Sequence, residues 1–241
     1  MPDRRVDVSV LVAAYDCALT IRRAVASAVN QPGIVVQVCI CHDAGPASAW
    51  GAVVQAAYEH AGVVTFRQHD ANQGPGAAMQ HAAEMATGRY LILLGDDDWL
   101  EPGCLKPLVY ALDTDPTISF AYGATQYWGR RTELYVPPTF ARQDFYTGFP
   151  SLYGYLFRRE VWESGPGYRD EFEREGRWLG APDWDMALQC IEAGDGACLP
   201  DVLVLNHLLV PGRMTEIVGR RGADVLASLK ARWPKLEAET V

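Results

Sequence analysis

The chain has no apolar run long enough to cross a membrane. A spanning helix needs about 20 predominantly apolar residues, and the best stretch, Ala24 to Cys41, is broken by Asn30-Gln31-Pro32-Gly33. No secretory leader is expected: MPDRRVDV runs straight into a short β-branched segment, too short and too β-branched for a signal peptide. The expected location is therefore cytoplasmic. Positive charge is scarce. Lys and Arg total 21 against 30 Asp and Glu, a net charge of −9 over 241 residues, which argues against a polynucleotide-coating protein. Cysteines with metal-finger or redox spacing are lacking, since Cys17, Cys39, Cys41, Cys104, Cys190 and Cys198 include no CxxC pair. Cys39 and Cys41 alternate in a strand-like run and share a face; buried small hydrophobes are the preferred reading over metal ligands. No GxGxxG follows the first apolar segment, which removes the dinucleotide-binding fingerprint. There is no repeat and no low-complexity tract.

What is present is a core-forming chain, 49% hydrophobic, with strands and helices in alternation. Val6 to Ala14 is β-branched and nearly all apolar, as a central parallel strand covered on both faces should be. A helix is expected over Leu19 to Asn30, a strand over Ile34 to Cys41, a helix over Ser48 to Ala61, a short strand over Val63 to Arg67, an Ala-rich helix over Pro75 to Ala86 and a strand over Tyr90 to Leu94. This pattern predicts an α/β fold with a central, mostly parallel sheet flanked by helices. Past Glu101 the rhythm loosens. Pro102 to Asp113 reads as helix, Ile118 to Tyr122 as strand, Thr125 to Val136 as a hairpin and Pro137 to Pro150 as irregular. Then come a strand over Tyr153 to Phe157, a short helix over Arg158 to Glu163, a long loop over Gly165 to Pro182, an amphipathic helix over Asp183 to Ala193, a strand over Val202 to Leu205 and a terminal helix over Thr215 to Trp233. No linker separates the halves, so residues 1–241 are expected to form one domain.

Three adjacent aspartates, Asp96, Asp97 and Asp98, follow the apolar strand that ends at Leu94. Open α/β sheets bind ligands outside the carboxyl ends of their strands. Neighbouring carboxylates repel one another unless a cation intervenes, and Mg2+ or Mn2+ takes such hard oxygen ligands together with substrate phosphates. A solvated acidic turn is the competing reading. Asp43 follows the second strand and would reach the same sheet edge, although a turn residue ahead of Gly45-Pro46 is an equally ordinary role. Asp183 opens the amphipathic helix; it either complements the helix dipole or serves as a general base held on a rigid element.

These segments together resemble the family 2 glycosyltransferases of the GT-A fold, over roughly Val8 to Thr215. VSVLVAAYD is similar to that family's first strand and the turn after it, which places Ala14, Tyr15 and Asp16 at the donor nucleotide. His42-Asp43-Ala44-Gly45 resembles its acid-Asp-Gly-Ser turn, whose Asp contacts the uracil. Asn72, Gly74, Ala78, Gly88 and Tyr90-Leu91-Ile92 follow the spacing of its N-x-G…A-x-G-x-Y-I stretch, and Gly95 to Asp98 stand at its DxD-type metal motif. Gly165 to Asp170 resembles the acceptor-side segment, and Asp183-Trp184-Asp185 the start of the helix whose first Asp is the catalytic base. Departures are Gly95 for the first acid of the metal motif, Met79 for a frequent Arg, Pro182 for the Glu before the base, and Val210 for a His before Pro211-Gly212.

The resemblance implies an inverting, metal-dependent transfer of a sugar from a nucleoside-diphosphate donor, with UDP the expected nucleotide, to an acceptor hydroxyl of a glycan, a lipid-linked sugar, a small molecule or modified DNA. Asp97 and Asp98 would hold Mn2+ or Mg2+, with Asp96 at the nucleotide and Asp183 as base. His207 is either a late metal or phosphate contact or a packed histidine. Residues 1 to about 100 would bind the nucleotide-sugar, and those from about 101 to 241 the acceptor. The loop Gly165 to Pro182 is a candidate lid, Pro137 to Pro150 a candidate acceptor surface, and the tail is locally basic at Arg213, Arg220, Arg221, Lys230, Arg232 and Lys235. A non-catalytic nucleotide-sugar-binding module is the alternative from another class.

Overall fold

The computed structural model describes residues 5–147, 154–169, 173–174, 177–178, 181–209 and 229–233. In chain order its first half contains β1 (Val8–Ala14), α1 (Ile21–Val29), β2 (Val36–His42), α2 (Ala47–Glu59), β3 (Val64–Gln68), α3 (Pro75–Glu84), β4 (Tyr90–Leu93) and β5 (Trp99–Leu100). The second half adds α4 (Leu105–Thr114), β6 (Ile118–Gly129), β7 (Glu133–Tyr135), α5 (Arg142–Thr147), β8 (Leu156–Arg158), α6 (Arg159–Ser164), β9 (Glu173–Arg174), β10 (Arg177–Trp178), α7 (Pro182–Ala193) and β11 (Asp195–Leu209).

β1 is apolar apart from Ser9, whose buried hydroxyl bonds Gln37 and the Gly88 N–H, because both of its faces are covered. Val8, Val10, Val12 and Ala14 enter one apolar layer and Leu11 the other. The first layer carries α1, α2 and α4, which contribute Ile21, Val25, Val53, Leu105 and Leu108. The second carries α3, α6 and α7 through Ala78, Ala82, Val161, Met186 and Ile191, packed on Leu91, Phe120 and Phe157. The small side chains of α3 let that helix lie close on β1 and β2.

The sheet has the order β3-β2-β1-β4-β8-β6-β11-β5, with β7 hydrogen-bonded to β6. β1, β2, β3 and β4 are parallel, with Val8 level with both Val36 and Tyr90. β8 alone in that central run is reversed, antiparallel to β4 and to β6, and β6 and β11 are again parallel. The expected mostly parallel sheet flanked by helices is therefore present. The order 3-2-1-4 means that successive crossovers leave β1 on one side and return on the other, which opens a crevice at the carboxyl ends of β1 and β4.

Several expectations change. The strand expected to stop at Tyr122 continues to Gly129 and forms the first arm of the β6–β7 hairpin. The strand expected over Val202 to Leu205 lies inside a 15-residue strand, Asp195–Leu209, that shifts register against β6 between Leu199 and Leu203; its polar, bulged beginning carries no strand periodicity. The stretch expected to be irregular contains α5, whose Phe145 is buried against Phe120 and Tyr122. The long loop contains the two-stranded pair β9–β10. Most of the expected terminal helix, with Val210, Pro211 to Thr215 and the Arg220-Arg221 pair, lies outside the described residues, as do Pro150, Tyr153 and Asp170. Among the described residues no helix is long and apolar enough to cross a membrane.

Leu91 is fully buried between β1 and β8 in the second layer. Leu91→Ala should lower the unfolding free energy by about 2–5 kcal/mol through lost transfer energy and a residual cavity, read as a lower urea midpoint at unchanged slope.

Candidate active site at the carboxyl edge of the sheet

The chain leaves β4 at Leu93 and turns through Gly95 into the three aspartates. All three are buried, at 7%, 9% and 4% exposure for Asp96, Asp97 and Asp98. Asp96 Oδ2 accepts the Tyr15 backbone N–H at 3.0 Å, joining the ends of β1 and β4 across the crevice. Arg23 of α1 donates to the Asp97 carbonyl at 2.8 Å, and its guanidinium carbon stands 3.8 Å from the centre of the Trp99 ring. Asp98 is met from the far side of the sheet: the Leu208 N–H donates to its Oδ1 at 2.9 Å, and His207 Nδ1 lies 2.9 Å from its Oδ2. β11 thus brings His207 to the aspartate turn, although more than a hundred residues separate the two in the sequence.

The departure at Gly95 has a steric basis. A Cβ there would stand 2.7 Å from Asp98 Oδ2 and 3.2 Å from Asp97 Oδ1, so the two carboxylates lean over the space that an acidic side chain would fill.

His207 balances opposed effects. Burial pushes its imidazolium down, but the hydrogen bond to Asp98 and the charges of Asp98 and Asp97 outweigh that, and the net shift is upward. This raised value makes its contribution to stability full below the ordinary histidine range and fading as pH climbs through the folded-state value.

At the end of β2, Asp43 is buried, and its carboxylate is held by the segment that follows β3. Its Oδ1 accepts the Gln73 N–H at 2.8 Å and Oδ2 the Gly74 N–H at 2.9 Å, while His69 Nδ1 lies 2.7 Å from Oδ1. Gly74 has φ 93, a left-handed conformation that a glycine adopts without strain, and it turns the chain into α3. Asn72 is exposed and its side-chain oxygen also accepts the Gly74 N–H, at 3.2 Å. Ala78 is buried within α3, Ala14 is buried at the end of β1 and its carbonyl accepts the Asp43 N–H, and Asp16 is exposed beyond it. Asp43 therefore acts first as a clamp on its own loop.

Asp183 stands in the first turn of α7, half-buried. Desolvation raises its pKa, against the Trp184 N–H that donates to Oδ1 at 3.0 Å and the charge of His207. Its backbone is fixed by the buried Tyr155 hydroxyl, which donates to the Asp183 carbonyl at 2.7 Å. Asp185, two residues on, points to a different set. It is 1% exposed and takes three hydrogen bonds from Arg169 plus those of Trp233 Nε1, Gln189 and Arg232, at 3.0 to 3.4 Å. Arg232, placed by sequence in a basic tail, is thus the partner of a buried acid. Sequence reading also missed Arg23, Tyr155 and His69. None has a spacing signal, because each is defined by a contact between distant segments.

The edge thus collects Asp43, Asp96, Asp97 and Asp98 with His207, and α7 presents Asp183 within electrostatic reach of His207. The donor set at the motif is carboxylate oxygen with one imidazole, which suits a hard or borderline divalent ion. Among the described residues the group of three whose ligand atoms lie mutually within 4.8 Å is a different one, Cys41, His69 and His81.

A parallel crevice lined by aspartates at its carboxyl edge, with a reversed strand beyond β4, is the ligand-binding edge of an open α/β sheet. Residues 9–167 match the family model described as glycosyl transferase family 2, and the chain belongs to that family. It is 29% identical over 191 residues to the chondroitin synthase of Pasteurella multocida strain Pm70, covering 78% of this chain and 19% of that one. It is 36% identical over 111 residues to the succinoglycan biosynthesis protein ExoO of Rhizobium meliloti, covering 46% and 31%. The chain thus spans about a fifth of the synthase and under a third of ExoO. Among solved structures, S. aureus TarS 1–349 in complex with UDP-GlcNAc superposes with a TM-score of 0.71 at 16% identity, over 88% of this chain and 61% of that one. The mannosyltransferase PcManGT from Pyrobaculum calidifontis, in complex with GDP-Man and Mn2+, gives 0.71 at 20%, over 97% and 66%. These likenesses establish the GT-A fold.

In metal-free protein, an NMR titration should place the His207 imidazolium above the ordinary histidine range. Asp98→Asn removes the partner charge and leaves burial dominant, so the same resonance should then titrate below that range.

Proposed function

We propose that this chain transfers a sugar, with inversion, from a nucleoside-diphosphate donor to an acceptor hydroxyl. The observation that carries the reading is the convergence of the Asp96 to Asp98 turn, His207 and the Asp183 end of α7 at one sheet edge. A UDP-sugar is the donor we favour, in keeping with the UDP-GlcNAc complex of TarS. A glycan hydroxyl is the favoured acceptor, in keeping with the chondroitin synthase and succinoglycan relatives. The six cysteines are free, which fits a reducing compartment such as the cytoplasm. We read the 241 residues as one catalytic unit, its first hundred or so binding the donor and the remainder the acceptor.

In this reading Asp43 orders the loop at Gln73-Gly74 and offers its remaining lone pair on Oδ2 to the nucleobase, while Ala14, Tyr15 and Asp16 line the mouth of the crevice. Asp97 and Asp98 would hold Mn2+ or Mg2+, with His207 fixing the orientation of Asp98. When bound, the ion supplies positive charge against the diphosphate as it leaves. Asp183 takes the proton of the acceptor hydroxyl while that oxygen bonds to the anomeric carbon. The bond from this carbon to the diphosphate breaks on the opposite face and the electron pair leaves with the diphosphate. One base with no positioned protein nucleophile suits a single displacement.

Burial raises Asp183, which matters for the pH profile: a base with a raised pKa loses its charge at higher pH than an ordinary carboxylate. The acid limb of the transfer rate should therefore lie above the usual carboxylate range. With Mn2+ and a panel of nucleotide sugars, Asp183→Asn should lose at least a thousand-fold in turnover (roughly, from the removal of a general base) and still bind donor within a few-fold. Wild-type turnover in that variant would show the base to be misassigned, and donor binding without transfer or hydrolysis in the wild type would favour a binding module. In calorimetry, Asp97→Ala should weaken Mn2+-dependent nucleotide binding at least ten-fold; unchanged affinity would defeat the metal assignment.

A further inference from the structure

A second polar cluster lies behind Asp43 and takes no part in the transfer reaction. Cys41 on β2, His69 just after β3 and His81 on α3 turn their heteroatoms to one point. Cys41 Sγ is 3.1 Å from His69 Nε2, and His69 Nε2 is 2.6 Å from His81 Nδ1. Cys41 and His69 are buried, at 0% and 6% exposure, and His81 is half-buried at the edge of the group.

The hydrogen bond on the other side of His69 decides what this point can bind. His69 Nδ1 faces Asp43 Oδ1 at 2.7 Å. An ionised carboxylate only accepts hydrogen bonds, so Nδ1 carries the proton and Nε2 presents a bare lone pair to Cys41 and His81. Carboxylate to histidine to metal is the arrangement by which an outer residue fixes the tautomer of a histidine ligand. With no ion, that single lone pair faces two groups that can each donate to it, the Cys41 thiol and the His81 N–H. With an ion, three lone pairs point inward and the conflict disappears.

Charge points the same way. Arg67 stands level with Cys41 on the neighbouring strand and pairs with Glu84 at 3.4 Å, one helical turn beyond His81. Burial pushes the Cys41 thiol up to about 11, so it ionises only when a cation displaces its proton; the thiolate with Asp43 and Glu84, less Arg67, then leaves two negative charges that one divalent cation neutralises.

We propose that Cys41, His69 and His81 form a site for a borderline-soft divalent cation, Zn2+ in the first place, separate from the carboxylate site at Asp97 and Asp98. One thiolate and two imidazoles are ligands that zinc prefers and that Mg2+ and Mn2+ do not. Ligand atoms around a tetrahedral zinc lie roughly 3.3–3.6 Å apart, given bonds of about 2.0–2.3 Å. Filling the site therefore moves His81 outward by some tenths of an ångström, toward the side where α3 meets solvent. Three protein ligands leave a fourth position for water. The ion would fasten β2, the segment after β3 and α3 to one another directly behind the carboxylate that holds Gln73 and Gly74. Its binding does not depend on the transfer reaction.

The test uses the full chain, stripped with a chelator and titrated with Co2+. One equivalent should give the intense visible bands of a tetrahedral centre together with a thiolate-to-cobalt charge-transfer band in the near ultraviolet, and Zn2+ should abolish both. The charge-transfer band should survive in Asp97→Ala and vanish in Cys41→Ser. His81→Gln, at a half-exposed position, should fold and weaken Zn2+ binding at least ten-fold against a chromophoric chelator; it decides the matter if Cys41→Ser does not fold. Absence of the charge-transfer band in the wild type, its persistence in Cys41→Ser, or unchanged Zn2+ affinity in His81→Gln would each overturn the proposal.

Discussion

A carboxylate taken out of water must be met by donors of the protein's own chain, and the site end of this fold is arranged around that demand. Asp96 is met by the backbone of Tyr15, Asp98 by Leu208 and His207, and Asp43 by Gln73, Gly74 and His69. Each of these bonds joins segments that are far apart in sequence. Satisfying the acids therefore closes β1 onto β4, pins the end of β11 against the aspartate turn and fixes the entry into α3. The same contacts that make the acids tolerable also place them.

Asp185 shows the demand at work away from the crevice. Arg169, Arg232 and Trp233 enclose it, so an acid two residues from the proposed base serves to lock α7 rather than to react. Asp183 takes backbone donors only from itself and Trp184 and stays half-buried, with its backbone carbonyl tied to Tyr155. A rigid helix with one acid neutralised and the other only partly satisfied is a suitable mount for a general base. The mount explains why desolvation rather than a neighbouring cation dominates the Asp183 pKa.

The substitution of Gly95 for the usual first acid of the motif takes on a different meaning in three dimensions. In the sequence it looks like a lost ligand. In the fold, the carboxylates of Asp97 and Asp98 already occupy the space over residue 95. Cys41 changes meaning in the opposite direction. Alternation with Cys39 marked both as buried apolar fillers, and both are buried, but only Cys41 meets His69. Alternation specifies the face of a strand. It says nothing of which side chain from another element arrives at that face.

The sequence alone determined the alternation of β1, α1, β2, α2, β3, α3 and β4, because central strands covered on both faces are mostly apolar and the helices that flank them show a stripe, with the edge strand β3 marked by its place between two helices. It also determined that the aspartates follow β4, since the end of an apolar run is local information. The family resemblance placed Asp183 on its helix. Tertiary structure decided the length of β6 and β11, because a polar, bulged strand is stabilised by its partner rather than by its own pattern. Only the fold could join His207 to Asp98, Arg232 to Asp185 and His69 to Cys41 and His81, since those contacts depend on strand order and register, which no periodicity within a single segment records.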